Sequence, residues 1–207
     1  MKVYSFTLGQ LQANCYFLIE ADQCLMIDPA DEASFILEEL QRRKLKLVGM
    51  LATHGHFDHV MAAGEIQKSL GIPLHIHSKD LFLIDRLEQT AEYFLGFRPA
   101  VLKPTLIKHL IKAENKIRAF KFNLIHTPGH TPSSICFYFK KEKIIFTGDT
   151  LFKRGIGRYD FSYSSKKELK KSLEKILKLP DDTVVYPGHG EKTTIGEEKD
   201  IIKSYPI

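Results

Sequence analysis

The chain has 207 residues, with 30 Lys and Arg residues against 25 Asp and Glu residues, a formal net charge of +5. Hydrophobic residues make up 43% and charged residues 27%, values that are typical of globular proteins and argue against a disordered chain. No apolar run reaches the roughly 18 to 20 residues that a membrane span requires, which argues against an integral membrane protein.

The pattern of apolar residues in the N-terminal half predicts alternating strands and helices. β-Branched and aromatic residues predict a hairpin around Gly9-Gln10, and short apolar runs predict three further strands. Apolar residues at helical spacing predict a helix capped by Asp31, a second that ends at Gly71, and a third followed by an irregular segment. The predicted strands are 1–8, 13–20, 24–28, 47–52 and 74–77, and the predicted helices are 31–44, 60–70 and 81–95.

The C-terminal half repeats this alternation. Its predicted strands are 120–126, 133–139, 143–146 and 183–186. Ser165 and Glu168 have the spacing of a capping box and open a helix whose apolar face is Leu169, Leu173, Ile176 and Leu177. The element order suggests two β-rich halves with helices on the outside of each.

The cysteines and the first residues predict a cytoplasmic protein. The chain has three cysteines, Cys15, Cys24 and Cys136. Their number is odd, they are far apart and they lack a Cys-x-x-Cys spacing, so neither a disulfide framework nor a thiolate zinc site is expected. Segment 1–7 lacks the apolar region and cleavage site of a secretory signal. The modest positive charge is compatible with anionic small molecules.

Histidines and aspartates are concentrated in short segments that follow the predicted strands. A single histidine of this kind is ordinarily a core or surface residue, but a cluster at strand–loop junctions indicates a site held by a rigid scaffold. The clustered residues are His54, His56, Asp58, His59, His130, Asp149 and His189.

The spacing of the first segment has a physical meaning. His54 and His56 point the same way in an extended chain, because side chains repeat every two residues. Asp58 and His59 face a neighbouring point once the chain turns into a helix, so one segment can serve two adjacent metals. Imidazole and carboxylate donors suit zinc, and also iron or manganese. A carboxylate such as that of Asp149 can bridge two cations.

Four motifs resemble those of the metallo-β-lactamase-fold hydrolases in order and spacing. They are THGHFDH (53–59), PGHT (128–131), GDTLF (148–152) and PGHG (187–190). The resemblance covers essentially the whole chain and implies one α/β domain over residues 1–207. The implied fold is a four-layer αββα sandwich of two mixed sheets flanked by helices, with a metal site at one edge.

The same resemblance implies a set of ligand residues for each metal. His54, His56 and His130 would hold one divalent ion, Asp58, His59 and His189 would hold the second, and Asp149 would bridge them. Zinc is the expected metal, with iron and manganese as alternatives.

Within this superfamily the chain is most similar to the short bacterial glyoxalase II-like group. The similar segments are LGQLQANCYFLIE (8–20), IDPA (27–30), GDTLF, GIGR (155–158) and TTIGEEK (193–199). Only 17 residues follow Gly190, so the C-terminal helical domain that helps full-length glyoxalase II bind glutathione is not expected. Ile156 replaces a family cysteine. Arg158 matches a basic position and is the candidate for binding an anionic substrate group, with an ion pair to Asp160 as the alternative.

The resemblance implies hydrolysis of a small-molecule thioester, with glutathione as the candidate carrier. A hydroxide between the two metals would attack the carbonyl, with Asp58 orienting it, and a thiolate leaves without a strong general acid. Neither a membrane nor a nucleic acid is expected as a partner, and the oligomeric state is left open. Segment 81–110 is the candidate pocket wall, with aromatic and basic residues at Phe82, Tyr93, Phe94, Phe97 and Arg98.

Other activities of the same fold remain open. The pattern Gly-x-Gly-Arg-x-Asp-Phe at 155–161 also resembles the persulfide dioxygenases, which use one iron, although the PGHG motif departs from them. Asp149 stands where the commonest β-lactamases have Cys, which disfavours antibiotic hydrolysis. Lactone, phosphoester and nucleic-acid hydrolysis stay as alternatives. A purely structural metal site is disfavoured, because seven ligands for two metals leave open coordination positions.

Overall fold

A computed structural model describes residues 1–110 and 112–205, and its first sheet contains six strands in sequence order. These are β1 (Lys2–Leu8), β2 (Ala13–Glu20), β3 (Gln23–Ile27), β4 (Lys46–Leu51), β5 (Leu74–Ile76) and β6 (Ile107–His109). The first three pair antiparallel through short turns, and β3 to β6 pair parallel because helices connect them.

The second sheet is built from the C-terminal half. The strands there are β7 (Glu114–Ile117), β8 (Phe120–His126), β9 (Ile135–Phe139), β10 (Ile144–Gly148), β11 (Leu151–Phe152), β12 (Gly155–Ile156), β13 (Val184–Pro187) and β14 (Thr193–Thr194). The sheet order is β14-β13-β10-β9-β8-β7, while β11 and β12 form a separate small hairpin. The β10–β13 pair is parallel, and its helical crossover brings the ends of two distant segments side by side.

Helices cover the outer face of each sheet. They are α1 (Ala33–Arg42), α2 (Phe57–Val60), α3 (Ala63–Leu70), α4 (Leu81–Asp85), α5 (Leu87–Leu95), α6 (Lys166–Ile176) and α7 (Ile195–Lys203). Helices α1 to α5 pack on the first sheet, and α6 and α7 pack on the second. Within the described residues, none of these helices has the length and apolar character needed to cross a bilayer.

Strand β2 shows why the chain forms four layers. Cys15 and Phe17 face the helices, while Tyr16 and Leu18 face the second sheet, because side chains alternate along a strand. Both faces are covered, so the strand is an almost unbroken apolar run. Each such large buried side chain contributes about 1.5–3 kcal/mol. The predicted four-layer αββα sandwich is therefore confirmed.

The predicted helices exist, but their ends differ. Helix α1 begins after Glu32, whose backbone is left-handed (φ 61°), and the Asp31 carboxylate accepts a hydrogen bond from the Glu32 N–H instead of capping the helix. The helix predicted over 60–70 is α3, which begins at Ala63, and the separate one-turn helix α2 precedes it and contains His59. The helix predicted over 81–95 is interrupted at Arg86 (φ −104°, ψ 17°).

Several short elements were not predicted. Strands β6 and β7 form one edge of each sheet and contain polar residues such as Lys108 and Asn115, so they lack the apolar alternation of a half-buried strand. Helix α7 begins with a complete capping box between Thr194 and Glu197, a recognisable signal that the sequence analysis did not use.

Candidate metal centre

The clustered histidines and aspartates lie where loops from both sheets meet at one edge. Strand β4 leads into the His54–His59 segment, and the Ile135 N–H at the start of β9 donates to the Thr53 carbonyl (2.8 Å). The parallel register of β10 and β13 places Gly148 opposite Pro187, so Asp149 and His189 follow on neighbouring strands. Sheet pairing thus positions residues that are far apart in sequence.

The N-terminal hairpin closes this edge from the other side. The Asn14 N–H donates to the Gly188 carbonyl (2.7 Å), and its side-chain amide donates to the carbonyls of Pro187 (3.1 Å) and Gly190 (2.9 Å). The Tyr16 hydroxyl also donates to the Pro187 carbonyl (2.6 Å). The loop that carries His189 is therefore held by the first hairpin of the chain.

A first group of donor atoms comes from His54, His56, His130 and Asp149. The His56 Nδ1 lies 3.0 Å from the His54 Nε2 and 3.0 Å from the His130 Nε2. The His130 Nε2 is 3.5 Å from the Asp149 Oδ2. Four donors from three loops thus converge on one point that can hold a cation.

A second group comes from Asp58, His59 and His189. The His189 Nε2 lies 3.2 Å from the Asp58 Oδ2 and 3.3 Å from the His59 Nε2. The His59 Nε2 is also 3.3 Å from the Asp149 Oδ1. Asp149 therefore contacts both groups, as the bridging position requires, and the structure brings together all seven residues that the sequence singled out.

Every histidine in the two groups uses its other ring nitrogen to bind the protein. These contacts are His54 Nδ1 with Thr53 Oγ1 (3.0 Å), His56 Nε2 with Tyr163 Oη (2.8 Å), His59 Nδ1 with Asp28 Oδ2 (3.0 Å), His130 Nδ1 with the Arg158 carbonyl (2.8 Å) and His189 Nδ1 with the Gln12 carbonyl (3.2 Å). An outer nitrogen that donates a proton leaves the inner nitrogen with a free lone pair. We infer from this network that the lone pairs of five histidine nitrogens face one another. Such an arrangement suits bound cations.

The Asp149 carboxylate supports the same conclusion. Its buried Oδ1 makes no hydrogen bond within the described residues. A buried carboxylate oxygen without a hydrogen-bond donor, close to several imidazole nitrogens, fits a ligand of a divalent ion.

Two buried aspartates that the sequence analysis did not select hold the ligand loops. Asp28 accepts hydrogen bonds from the Thr53 N–H (2.7 Å) and hydroxyl (2.7 Å), and from His59. Asp80 is fully buried and joins the first loop to the His130 loop. It accepts from the Gly55 N–H (3.2 Å), the Thr131 hydroxyl (2.8 Å) and the Ser133 hydroxyl (2.7 Å).

A cavity of about 380 Å³ opens directly on the two groups, and we call it the inner cavity. Apart from the ligand residues His56, Asp58, His130, Asp149 and His189, its lining residues are Leu11, Phe57, Thr90, Phe94, Phe152, Ile156, Arg158, Phe161 and Tyr163. Its volume suits a small molecule. Thr90 and Phe94 come from the segment predicted as a pocket wall, whereas Phe97 and Arg98 do not line it.

Arg158, the predicted substrate-binding residue, lies at this cavity but is paired. Its guanidinium donates two hydrogen bonds of 2.9 Å to Asp160 and lies 4.5 Å above the Phe161 ring. The ion-pair alternative is thus present in the structure. Binding of a substrate anion by Arg158 remains a prediction.

Tyr163 supplies a test of the outer hydrogen bonds. Replacing Tyr163 with Phe removes the oxygen that fixes the His56 ring, and loss of such a partner weakens metal binding by about 10- to 100-fold. We expect a weakening near the lower end of that range, because the ring contacts with Phe161 and Phe82 remain. Zinc affinity measured by chelator competition tests this.

The matched control for this variant is Tyr186→Phe. The Tyr186 ring packs on Phe146 between the sheets, and its hydroxyl makes no hydrogen bond in the ranges 1–110 and 112–205. An equal loss of zinc affinity in both variants would contradict a specific role for the Tyr163 hydroxyl.

Comparisons with known proteins agree with this geometry. The family model described as the metallo-beta-lactamase superfamily matches residues 8–189. The Bacillus subtilis protein named "Probable metallo-hydrolase YqgX" is 35% identical over 97% of this chain and 95% of its own length. The Haemophilus influenzae protein named "Hydroxyacylglutathione hydrolase GloC" is 35% identical over 96% of this chain and 95% of its own length.

Solved structures show the same fold. The crystal structure of the BLEG-1 B3 metallo-beta-lactamase superimposes with a TM-score of 0.89, at 34% identity over 96% of this chain and 97% of that one. The structure of TTHA1623 in a di-iron-bound form has a TM-score of 0.87, at 36% identity over 95% of this chain and 96% of that one. The described architecture is thus shared along nearly the full length of both neighbours.

Proposed function

Since this chain belongs to the metallo-beta-lactamase superfamily, we propose that it is a hydrolase of small-molecule thioesters of the hydroxyacylglutathione type. The proposal includes two divalent metal ions held by the two donor groups, with Asp149 shared between them. Zinc is the metal to test first, because imidazole and carboxylate donors suit it. Iron is second, because a 36% identical neighbour is described in a di-iron-bound form.

The observation that carries the proposal is the position of the shared carboxylate at the floor of the inner cavity. Asp149 touches both donor groups and also lines the cavity, so a bound substrate meets both metal positions at once. Paired divalent ions lower the pKa of water and polarise a carbonyl oxygen. Asp58, which also lines the cavity, would accept a hydrogen bond from the attacking water and orient it.

The walls of the inner cavity favour a thioester over an amide. The cavity offers apolar surface from Phe94, Ile156 and Phe161 for the organic part of a substrate. Among the described lining residues, the hydroxyls are those of Thr90 and Tyr163, and the Tyr163 hydroxyl already contacts the His56 Nε2 (2.8 Å). An amide requires a proton for its leaving amine, whereas a thiolate leaves unaided. The similarity to GloC, whose name states hydroxyacylglutathione hydrolysis, supports the same substrate class.

Hydrolysis of β-lactams is the second candidate, because a B3 metallo-beta-lactamase is 34% identical over nearly the whole chain. The persulfide dioxygenase alternative requires only one iron. A complete second donor group of Asp58, His59 and His189 supports a two-metal site instead.

The experiment is steady-state hydrolysis by protein that is stripped of metal with a chelator and refilled with zinc or ferrous iron. We expect rapid turnover of S-lactoylglutathione that appears with the second metal equivalent, as measured by loss of thioester absorbance beside elemental analysis. Two bound metals without thioester turnover would overturn the proposal. Turnover of nitrocefin under the same conditions would then favour the second candidate, and sulfite formation from glutathione persulfide by a one-iron protein would favour the dioxygenase.

A further inference from the structure

A second cavity of about 490 Å³ adjoins the inner cavity, and we call it the outer cavity. Five residues line both, namely Thr90, Phe94, Arg158, Phe161 and Tyr163. The outer cavity is completed by Phe82, Leu83, Arg86, Gln89 and Tyr93. Since the walls are shared, a ligand that is seated at the metal centre can extend into the outer cavity without crossing the protein.

One stripe of helices α4 and α5 forms the far wall of the outer cavity. Phe82, Arg86, Gln89 and Tyr93 recur at spacings of four, three and four residues, which places them on one helical face. The helix is interrupted at Arg86, yet the Arg86 N–H still donates to the Leu83 carbonyl and the Thr90 N–H to the Arg86 carbonyl. The two helices therefore present these side chains side by side.

The charges at this wall are unbalanced. Arg158 is neutralised by Asp160, and the nearby acidic residues Asp85 and Glu88 are paired with Lys103 and Arg98. Arg86 has no carboxylate partner within the described residues, and it is exposed at the cavity. The guanidinium of an unpaired arginine that faces a cavity can donate two parallel hydrogen bonds to a ligand carboxylate.

We propose that the outer cavity binds the thiol carrier of the substrate, and that Arg86 pairs with a carboxylate of that carrier. This inference rests on the proposed thioesterase function and adds a preference for the thiol carrier of the substrate. The scissile bond lies at the metal centre in the inner cavity, the carrier lies between Phe94 and Tyr163, and its acidic end reaches Arg86 and the Gln89 amide. Thioesters of acidic thiols are then preferred over those of neutral thiols.

The test compares binding of two stable thioethers to the zinc-loaded protein by titration calorimetry. S-Hexylglutathione carries carboxylates, whereas S-hexyl-N-acetylcysteamine has the same alkyl chain and no charge. We expect Arg86→Ala to weaken binding of the first about tenfold, in keeping with one lost charged hydrogen-bonded pair, and to leave the second unchanged. Arg86→Lys keeps the positive charge but not the forked guanidinium. Its affinity for S-hexylglutathione should lie between those of the wild type and Arg86→Ala.

Arg42→Ala is the matched control, because Arg42 is an exposed helical arginine that pairs with Glu39 and lines neither cavity. The inference is overturned if Arg86→Ala binds S-hexylglutathione as the wild type does, if it weakens both ligands equally, or if the wild type does not prefer the acidic ligand. Binding is measured without turnover, so it separates the two proposals. Arg86-dependent binding without hydrolysis would sink the thioesterase function alone, and hydrolysis without that dependence would sink only the carrier subsite.

Discussion

Replacing Asp149 with Ala is expected to abolish thioester hydrolysis while the fold persists. The carboxylate contacts both donor groups, so its removal affects both metal positions together. Loss of a hydrogen-bond partner of a metal ligand already lowers metal affinity or activity by about 10- to 100-fold. Loss of a ligand shared by both donor groups should therefore lower kcat/KM by more than about 100-fold. The measurements are kcat/KM for S-lactoylglutathione, metal content per chain and the melting temperature.

The control for this variant is Asp182→Ala, which removes an exposed aspartate that pairs with Lys143. It should keep full activity and two metals per chain. An Asp149→Ala protein that retained wild-type turnover with two bound metals would contradict the shared-ligand interpretation. Activity lost together with the cooperative melting transition would indicate unfolding instead, and Asp149→Asn, which preserves shape, then separates charge from packing.

Replacing Asp80 with Ala is expected to lower the free energy of unfolding by about 2–4 kcal/mol and to weaken metal binding. Asp80 is fully buried and accepts three hydrogen bonds that join the loop of His54 and His56 to the loop of His130. The hydroxyls of Thr131 and Ser133 can rotate toward other acceptors, but the Gly55 N–H is left buried without one. Urea denaturation of the metal-free protein measures the first effect, and chelator competition measures the second.

Asp182→Ala again provides the comparison, since surface substitutions of this kind usually change stability by less than about 0.5 kcal/mol. Asp80→Asn retains one acceptor and should be intermediate in both measurements. If Asp80→Ala unfolds at the wild-type urea concentration and binds zinc as tightly as the wild type, the proposed link between the two ligand loops is wrong.

The parts of the site that the sequence predicted are those governed by short-range spacing. His54, His56, Asp58 and His59 lie within six residues, and alternation along a strand followed by a helical turn is enough to place them. The pairing of that segment with the other three loops came from resemblance to a family, because spacing alone says nothing about contacts across 70 or more residues.

The residues that the sequence analysis missed act over long range. Asp80 follows an unremarkable short strand, and Tyr163 lies in an irregular segment that shows no periodicity. Asp28 offered a better signal, since it ends a buried strand in the same way as the segment before Thr53, and β3 pairs parallel with β4. The interruption at Arg86 was hidden because apolar residues continue at helical spacing on both sides of it.

The hydrogen bonds between the first hairpin and the His189 loop connect residues that are synthesised far apart in time. They join residues 171 to 176 positions apart, from Asn14 and Tyr16 to Pro187 and Gly190. The last residue of the first donor group is Asp149, whereas the second donor group requires His189. All residues of the first group are therefore synthesised before the second group is complete. Contacts this distant in sequence close late in folding. We therefore expect the second donor group to be completed after the first when the chain folds.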